Sequence, residues 1–141
     1  MPYEYLDHTA DLYIRGIGQT PREALSAGAD AVLAAMADVD KIVPRQEFAQ
    51  HCTAADIPSL FVEWLNEILY QREVEGVLFA SARVIALEED EKGWKLEGTA
   101  RGEPLDADRH EVFTEVKAAT YYGLEYRREA QQYVIECVVD V

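Results

Sequence analysis

The fold is decided by the stretch from Asp56 to Leu69, which reads DIPSLFVEWLNEIL. Asp56 is a typical helix N-cap, because its carboxylate can accept a hydrogen bond from a first-turn N–H, and Pro58 fits that turn. Positions off the apolar stripe, such as Asn66, are expected to face solvent or to form a recognition surface. Trp64 is expected to anchor the core. The stripe repeats every three or four residues, as in a buried helix face: Leu60, Phe61, Trp64, Leu65, Ile68 and Leu69.

An earlier helix is predicted from Thr20 to about Asp38. Thr20 is placed as the N-cap, Pro21 occupies the first helical position, and Glu23 is placed to complete a capping box. The apolar stripe of this helix is rich in small residues, which suits close packing on a sheet. We interpret this stripe as core rather than as a groove for a partner.

The remaining segments predict β-strands, most of them joined as hairpins. Alternating apolar residues bounded by turn residues mark strands at residues 3–5, 12–16, 46–54, 77–87, 94–101, 124–128 and 132–140. The chain has 141 residues and is 49% hydrophobic, enough for one domain spanning residues 1–141 with a real core. We predict an α+β fold, with mainly antiparallel sheet of about six to eight strands packed with two main helices.

The segment from Val112 to Tyr122 is ambiguous between strand and helix. Its β-branched and aromatic residues favour a strand, with Gly123 as a bulge or bend. A strand would put Lys117 on a half-buried sheet as a paired cation, or leave it as an exposed edge lysine. His110, just before this segment, is expected to make a satisfied polar contact near Lys117.

The net charge restricts the classes of partner. With 13 basic and 27 acidic residues the chain carries −14, and no cluster of Lys and Arg is present to neutralise phosphates. Direct, tight nucleic-acid binding is therefore disfavoured, and a basic protein surface is the better partner. No apolar run approaches the ~20 residues of a membrane span, and the N-terminus does not resemble a secretory signal, so a cytoplasmic protein is expected.

Two acidic spots are candidate site residues. The stretch from Asp7 to Asp11 reads DHTAD and places two carboxylates around His8. The chain closes on Asp140-Val141, where a side-chain carboxylate adjoins the α-carboxylate. Such hard oxygen ligands suit Ca²⁺ or Mg²⁺. An ordinary turn at the first spot and a solvated terminus at the second are the alternatives. A site uniting both requires the first and last strands to be neighbours.

Four segments in order resemble the archease family across essentially the whole chain. They are the DHTAD opening, the helix segment Trp64–Glu67, the run EVKAATY at residues 115–121, and the closing Asp140-Val141. Each is weak alone, but four in order within a chain of this size make a specific match. Many members of the family carry His where this chain has Tyr122, so the resemblance assigns that position no role.

The resemblance implies a protein cofactor rather than an enzyme, with no catalytic residues of its own. Archeases act with an RtcB-type RNA ligase in tRNA splicing, speeding its guanylylation and turnover, in a chaperone-like role. The resemblance also implies a bound divalent cation, usually calcium, with Asp11, Asp140 and Val141 as ligands. It places the functional lysine at Lys117. Asp7 and His8 are expected to contribute to docking.

An alternative is a stand-alone enzyme. His8, Asp11 and Lys117 with a metal ion have the chemistry for metal-assisted phosphoester cleavage. This alternative predicts turnover by the purified protein with Mg²⁺ or Mn²⁺. The cofactor hypothesis predicts no turnover by the purified protein alone. It predicts faster guanylylation of the ligase when the two proteins are combined.

Overall fold

The computed structural model describes residues 11–141, so the strand predicted at residues 3–5, Asp7 and His8 lie outside the described residues. Two helices pack with two antiparallel sheets, which confirms the α+β prediction. A short 3₁₀ turn follows the first helix at Val39–Lys41. The elements are β1 (Asp11–Gly18), α1 (Pro21–Met36), β2 (Gln46–Ala54), α2 (Ile57–Glu75), β3 (Val77–Asp90), β4 (Gly93–Pro104), β5 (Ala118–Ala119), β6 (Glu125–Glu129) and β7 (Gln132–Asp140).

The first sheet is built around β7. Strand β1 pairs with one side of β7 along its length, and β6 and β5 pair with successive parts of its other side. The second sheet has the order β2-β4-β3, so its centre is the second strand of the predicted β3–β4 hairpin. The core lies between the two sheets and the helices, and it contains residues of α1, α2 and both sheets.

Helix α2 begins where its sequence predicts. The Asp56 carboxylate accepts a hydrogen bond from the Ser59 N–H at 2.8 Å, and Gly76 ends the helix with φ +65°. Trp64 is fully buried, as predicted. Its indole N–H donates to Oε1 of the buried Gln50 at 3.1 Å. Gln50 in turn donates to Gln71 Oε1 at 2.8 Å, so a buried polar chain ties α2 to β2.

Helix α1 has the predicted N-cap and a slightly displaced capping box. Thr20 Oγ1 accepts a hydrogen bond from the Glu23 N–H at 3.2 Å. The Glu23 carboxylate accepts from the Gln19 N–H at 3.0 Å, one residue before the cap. The helix ends at Met36, two residues earlier than predicted.

The same helix covers the outer edge of the second sheet. Ser26 Oγ accepts a hydrogen bond from the Val84 N–H at 2.9 Å, and Arg22 donates to the Ile85 carbonyl at 2.9 Å. These side chains satisfy backbone groups that an open strand edge would offer to another chain.

The closest approach of α1 to β1 occurs at Gly16. A Cβ atom there would lie 2.1 Å from the Ala24 carbonyl oxygen, which is helix backbone. We therefore predict that Gly16→Ala lowers the free energy of unfolding by about 1–3 kcal/mol, because the helix must move. Urea unfolding measures this change. Gln46→Ala, at an exposed position at the start of β2, is the control, because it removes no buried contact. Equal losses at both positions would contradict the packing explanation.

The prediction of a strand from Val112 to Tyr122 is wrong over most of its length. Only Ala118–Ala119 is strand, and Val112 forms an isolated bridge with Ala37. The reason is competition for β7: its residues 132–136 already pair with β6, which leaves Asp140 and Val139 for β5. Gly123 lies in the turn that follows, with φ +66°.

Candidate functional site

The start of β1 and the end of β7 bring two of the predicted ligands together. Asp11 is directly opposite Asp140 in the antiparallel register. Residues opposite one another put their side chains on the same face, with Cβ atoms about 4.5–5.5 Å apart. Both residues are exposed, and the half-buried Val141 side chain packs against the core. The first and last described strands are therefore neighbours, as a joint site requires.

Lys117 lies beside this carboxylate pair. Its backbone N–H donates to the Asp140 carbonyl at 2.8 Å, and its side chain is exposed. The next residue, Ala118, pairs with Asp140 in the sheet. Three of the predicted site residues, Asp11, Asp140 and Lys117, are thus assembled at one end of the first sheet.

The loop that carries Lys117 is fixed by a side chain of α2. Asn66 Oδ1 accepts a hydrogen bond from the Ala119 N–H at 2.8 Å, and its amide nitrogen donates to the Ala119 carbonyl at 3.1 Å. Asn66 was predicted to face solvent or a partner, whereas it replaces a sheet partner for Ala119. Its place off the apolar stripe, inside one of the archease-like segments, was the only signal of this role.

A second contact from α2 fixes the loop further along. The Tyr121 hydroxyl donates to the Glu63 carboxylate at 2.6 Å, and this hydrogen bond is the main reason that the pKa of Tyr121 is raised. The Thr120 N–H donates to the Val138 carbonyl at 3.0 Å, and the Val138 N–H donates to the Tyr122 carbonyl at 3.1 Å. The loop is therefore held although it has little regular structure.

The oxygen donors at this end partly fit a hard divalent cation. Like charges directly opposite in a sheet repel each other, and a cation between Asp11 and Asp140 would relieve this repulsion. Between residues 11 and 141, however, no three His, Cys, Asp or Glu side chains form a metal-binding group. The described residues offer a cation three carboxylates at this end: the side chains of Asp11 and Asp140 and the α-carboxylate of Val141. Asp7 and His8 fall outside it.

A second polar cluster, which the sequence did not predict, surrounds Glu103. The Glu103 side chain is only 1% exposed and accepts hydrogen bonds from Arg109 at 2.6 Å and from the Val43 N–H at 2.8 Å. Arg45 lies 3.2 Å from the same carboxylate. Chiefly the hydrogen bond from Arg109 lowers the pKa of Glu103 to about 2.

His110 completes this cluster. Its Nδ1 accepts a hydrogen bond from the Asp106 N–H at 2.9 Å, so the proton of the neutral ring is on Nε2, 2.9 Å from Glu103. His110 therefore makes satisfied polar contacts, as predicted, but its described partners are Glu103 and the Asp106 N–H rather than groups near Lys117. Because both ring nitrogens are engaged within the protein, this histidine is structural.

Comparisons with known proteins agree with this architecture. Residues 3–141 match the model of the Archease protein family. The protein archease of Methanopyrus kandleri is 40% identical over 141 residues, covering all of both chains. The solution structure of protein 1598 of Methanobacterium thermoautotrophicum superposes with a TM-score of 0.81 at 27% identity, covering 96% of each chain. A crystal structure from Thermotoga maritima, described as an archease and possible chaperone, has a TM-score of 0.66 at 20% identity and covers 100% and 98% of the two chains.

The overall architecture of two helices with two antiparallel sheets is thus shared with these proteins. The chain belongs to the archease family. Among the described helices, none is long and apolar enough to cross a membrane.

Proposed function

We propose that this chain is a protein cofactor of an RtcB-type RNA ligase. It promotes guanylylation of the ligase and repeated turnover in tRNA splicing, in the cytoplasm, without binding RNA tightly itself. Family membership supports the proposal, as does a net charge of −14 that favours a basic protein partner over RNA. The description of the Thermotoga relative as a possible chaperone is consistent with action on a protein.

The observation that carries the proposal is the assembly of Asp11, Asp140 and Lys117 at one end of the sheet. The Asp11–Asp140 register brings the carboxylates together, and the Lys117 N–H to Asp140 carbonyl bond fixes the lysine beside them. Because the backbone that carries these charges is held by sheet pairing, docking would lose less conformational entropy than it would on a flexible loop. We propose that this group contacts the ligase near its nucleotide site and that Asp7 and His8 also contribute to docking.

A divalent cation, calcium, would be held by Asp11, Asp140 and the α-carboxylate of Val141. When bound, it would supply positive charge that offsets the repulsion among these carboxylates. The residues of the chain would orient the end of β7 and present Lys117.

The direct test is a guanylylation time course of the cognate ligase with GTP, with and without this protein at substoichiometric amounts. We expect faster guanylylation and more RNA joined per ligase molecule when it is present. Incubation of this protein alone with an RNA phosphoester and Mg²⁺ or Mn²⁺ is the parallel arm. Cleavage there, without any effect on the ligase, would favour the stand-alone enzyme instead.

Calcium is expected to stabilise the folded protein. At a free Ca²⁺ concentration 100 times Kd, binding to the folded state alone adds roughly 2.7 kcal/mol to the free energy of unfolding. Thermal melting with Ca²⁺ or with EDTA measures this effect. Asp140→Asn should abolish the difference, whereas Glu91→Gln, in the exposed β3–β4 turn, should retain it. If the melting temperature of the unmodified protein is the same with Ca²⁺ and with EDTA, the ion is removed from the proposal.

A further inference from the structure

The exposed Lys117 lies between two buried residues of its own segment. Val116 is 3% exposed and Ala119 is 6% exposed, so the backbone on both sides of the lysine is held against the core. One edge of this segment faces β7, where the Thr120 N–H donates to the Val138 carbonyl at 3.0 Å. The direction in which Lys117 is presented therefore depends also on what holds the opposite edge.

The opposite edge is held by one side chain of α2, that of Asn66. Its Oδ1 accepts a hydrogen bond from the Ala119 N–H at 2.8 Å, and its amide nitrogen donates to the Ala119 carbonyl at 3.1 Å. A carboxamide carries the acceptor and the donor that this pair of backbone groups requires, whereas an aspartate offers acceptors alone. Because Ala119 is buried, the loss of Asn66 would leave both backbone groups without these partners.

A second side chain of α2 contacts the same segment two residues further on. Glu63 precedes Asn66 by three residues, so the two side chains are neighbours on the helix surface. The Glu63 carboxylate accepts a hydrogen bond from the Tyr121 hydroxyl at 2.6 Å. The segment after Lys117 is therefore held by β7 on one edge and by one face of α2 on the other.

The place of Asn66 in α2 is unfavourable for the helix itself. The helix runs from Ile57 to Glu75, and asparagine in a helix interior is a poorer helix former than alanine or leucine. Trp64 and Leu65, directly before Asn66, are buried and fix this part of the helix in the core. A residue that conflicts with its local element is typical of functional positions. The described bonds of the Asn66 side chain go to the segment that presents Lys117.

We propose that Asn66 is a positioning residue for stimulation of the ligase and that it acts through Lys117. This inference rests on the proposed function and adds a residue to its site. By holding both backbone groups of Ala119, Asn66 keeps the segment on the edge of β7, where the Lys117 N–H reaches the Asp140 carbonyl at 2.8 Å. Without this amide, the segment leaves that edge more easily and the lysine is presented in several directions.

The test is a double-mutant cycle, with the rate of ligase guanylylation at a fixed concentration of this protein as the readout. Asn66→Ala is expected to lower the stimulated rate at least about fivefold, because a displaced functional group acts poorly on a reaction. Asn66→Ala combined with Lys117→Ala should stay within about twofold of Lys117→Ala alone, since an absent lysine cannot be positioned. A purely structural loss would instead multiply with the loss at Lys117.

Gln71→Ala is the matched control. Gln71 is another amide of α2, and its side chain bonds the second sheet: Oε1 accepts from Gln50 at 2.8 Å, and the amide nitrogen donates to the Ala49 carbonyl at 2.9 Å. Its removal also costs side-chain hydrogen bonds of the helix but leaves the Lys117 segment intact. The melting temperature should fall in both variants, whereas stimulation by folded Gln71→Ala should remain within about twofold of normal.

Hydrogen exchange of the Ala119 amide, followed by NMR, reports the position of the segment directly. Asn66→Ala should speed this exchange at least about tenfold, because the N–H loses its acceptor. If Asn66→Ala does not fold, Asn66→Asp takes its place in the cycle. Aspartate keeps the size of the side chain and the bond from the Ala119 N–H, and it loses only the donor.

The outcomes separate this inference from the proposed function. If the unmodified protein and a folded Asn66 variant stimulate the ligase equally, Asn66 is not a positioning residue and the proposed function stands. Losses that multiply in the double variant, or an equal loss in Gln71→Ala, overturn the action through Lys117. If the unmodified protein does not stimulate the ligase, the proposed function fails and this inference fails with it.

Discussion

Glu103→Gln is expected to lower the stability of the protein strongly at neutral pH and to flatten its dependence on pH. The unmodified side chain is 1% exposed and holds Arg109, Arg45 and His110 together, so a neutral amide removes the charge that orders them. The amide also lacks the second acceptor oxygen, which leaves one of these donors without its bond. The destabilisation therefore has two sources: the ion pairs are lost, and a donor group near Glu103 is left without a hydrogen-bond acceptor.

The pH dependence follows from the direction of the pKa shift. The pKa of Glu103 is lowered from 4.5 to about 2 in the folded protein, first by the Arg109 hydrogen bond and then by the Val43 N–H. A carboxyl whose pKa is lower when folded stabilises the protein fully above its unfolded pKa. That contribution is lost as pH falls from about 4.5 towards 2. Above pH 6 it should be constant.

Urea unfolding at a series of pH values checks this prediction. The difference in midpoint between the unmodified protein and Glu103→Gln should be largest near pH 7 and should shrink below pH 4.5. Glu97→Gln is the control, since Glu97 is an exposed carboxylate of the same second sheet, 3.8 Å from the exposed His51. A Glu103 difference that stays constant from pH 7 to pH 2.5 would show that the carboxylate charge is not the cause.

Lys117→Ala is expected to abolish most of the stimulation of the ligase without unfolding the protein. The Lys117 side chain is exposed, and its described bond to Asp140 is made by the backbone, which alanine retains. The melting temperature should therefore change little, since surface substitutions usually stay within about 0.5 kcal/mol. The rate of ligase guanylylation should fall at least about tenfold, the loss expected for one charge-assisted contact.

Two further variants decide what the lysine contributes. Lys117→Arg retains the charge, so partial activity would identify a requirement for a cation. Lys92→Ala removes an exposed lysine from the β3–β4 turn and should leave stimulation unchanged. Asp140→Asn, by contrast, is expected to reduce both stimulation and Ca²⁺ stabilisation. Normal stimulation by folded Lys117→Ala would exclude Lys117 from the proposed docking group.

The elements with strong local signals were predictable from the sequence. Asp56 and Thr20 mark the two helix starts, and the apolar stripe of α2 identified Trp64 as buried. The sequence predicted that Asp11 and Asp140 would meet only if the first and last strands were neighbours, because local sequence signals do not determine strand order. The resemblance to the archease family supplied the reason to expect it.

What local reasoning missed depends on competition between distant segments. Residues 112–122 have β-forming side chains, but β6 already occupies most of the β7 edge, so only Ala118–Ala119 pairs there as a strand. Asn66 bonds the Ala119 backbone groups that face away from β7, where a further strand would otherwise lie. The Glu103 cluster also brings in Arg45 and the Val43 N–H, the latter 60 positions away in sequence, and no spacing rule predicts such a meeting. β-Propensity is a property of each segment alone, whereas two segments can compete for the same edge of a neighbouring strand.

The central place of β7 has a consequence for synthesis of the protein. In the first sheet, β1 is completed only by residues 133–140, which are made more than a hundred positions later. During synthesis on the ribosome, the edge of β1 that pairs with β7 therefore stays unpaired until β7 has been made. The β3–β4 hairpin can form earlier, because its two strands are neighbours in sequence. A nascent chain arrested before residue 132 would expose that edge to aggregation, so completion of this sheet is a late event in biogenesis.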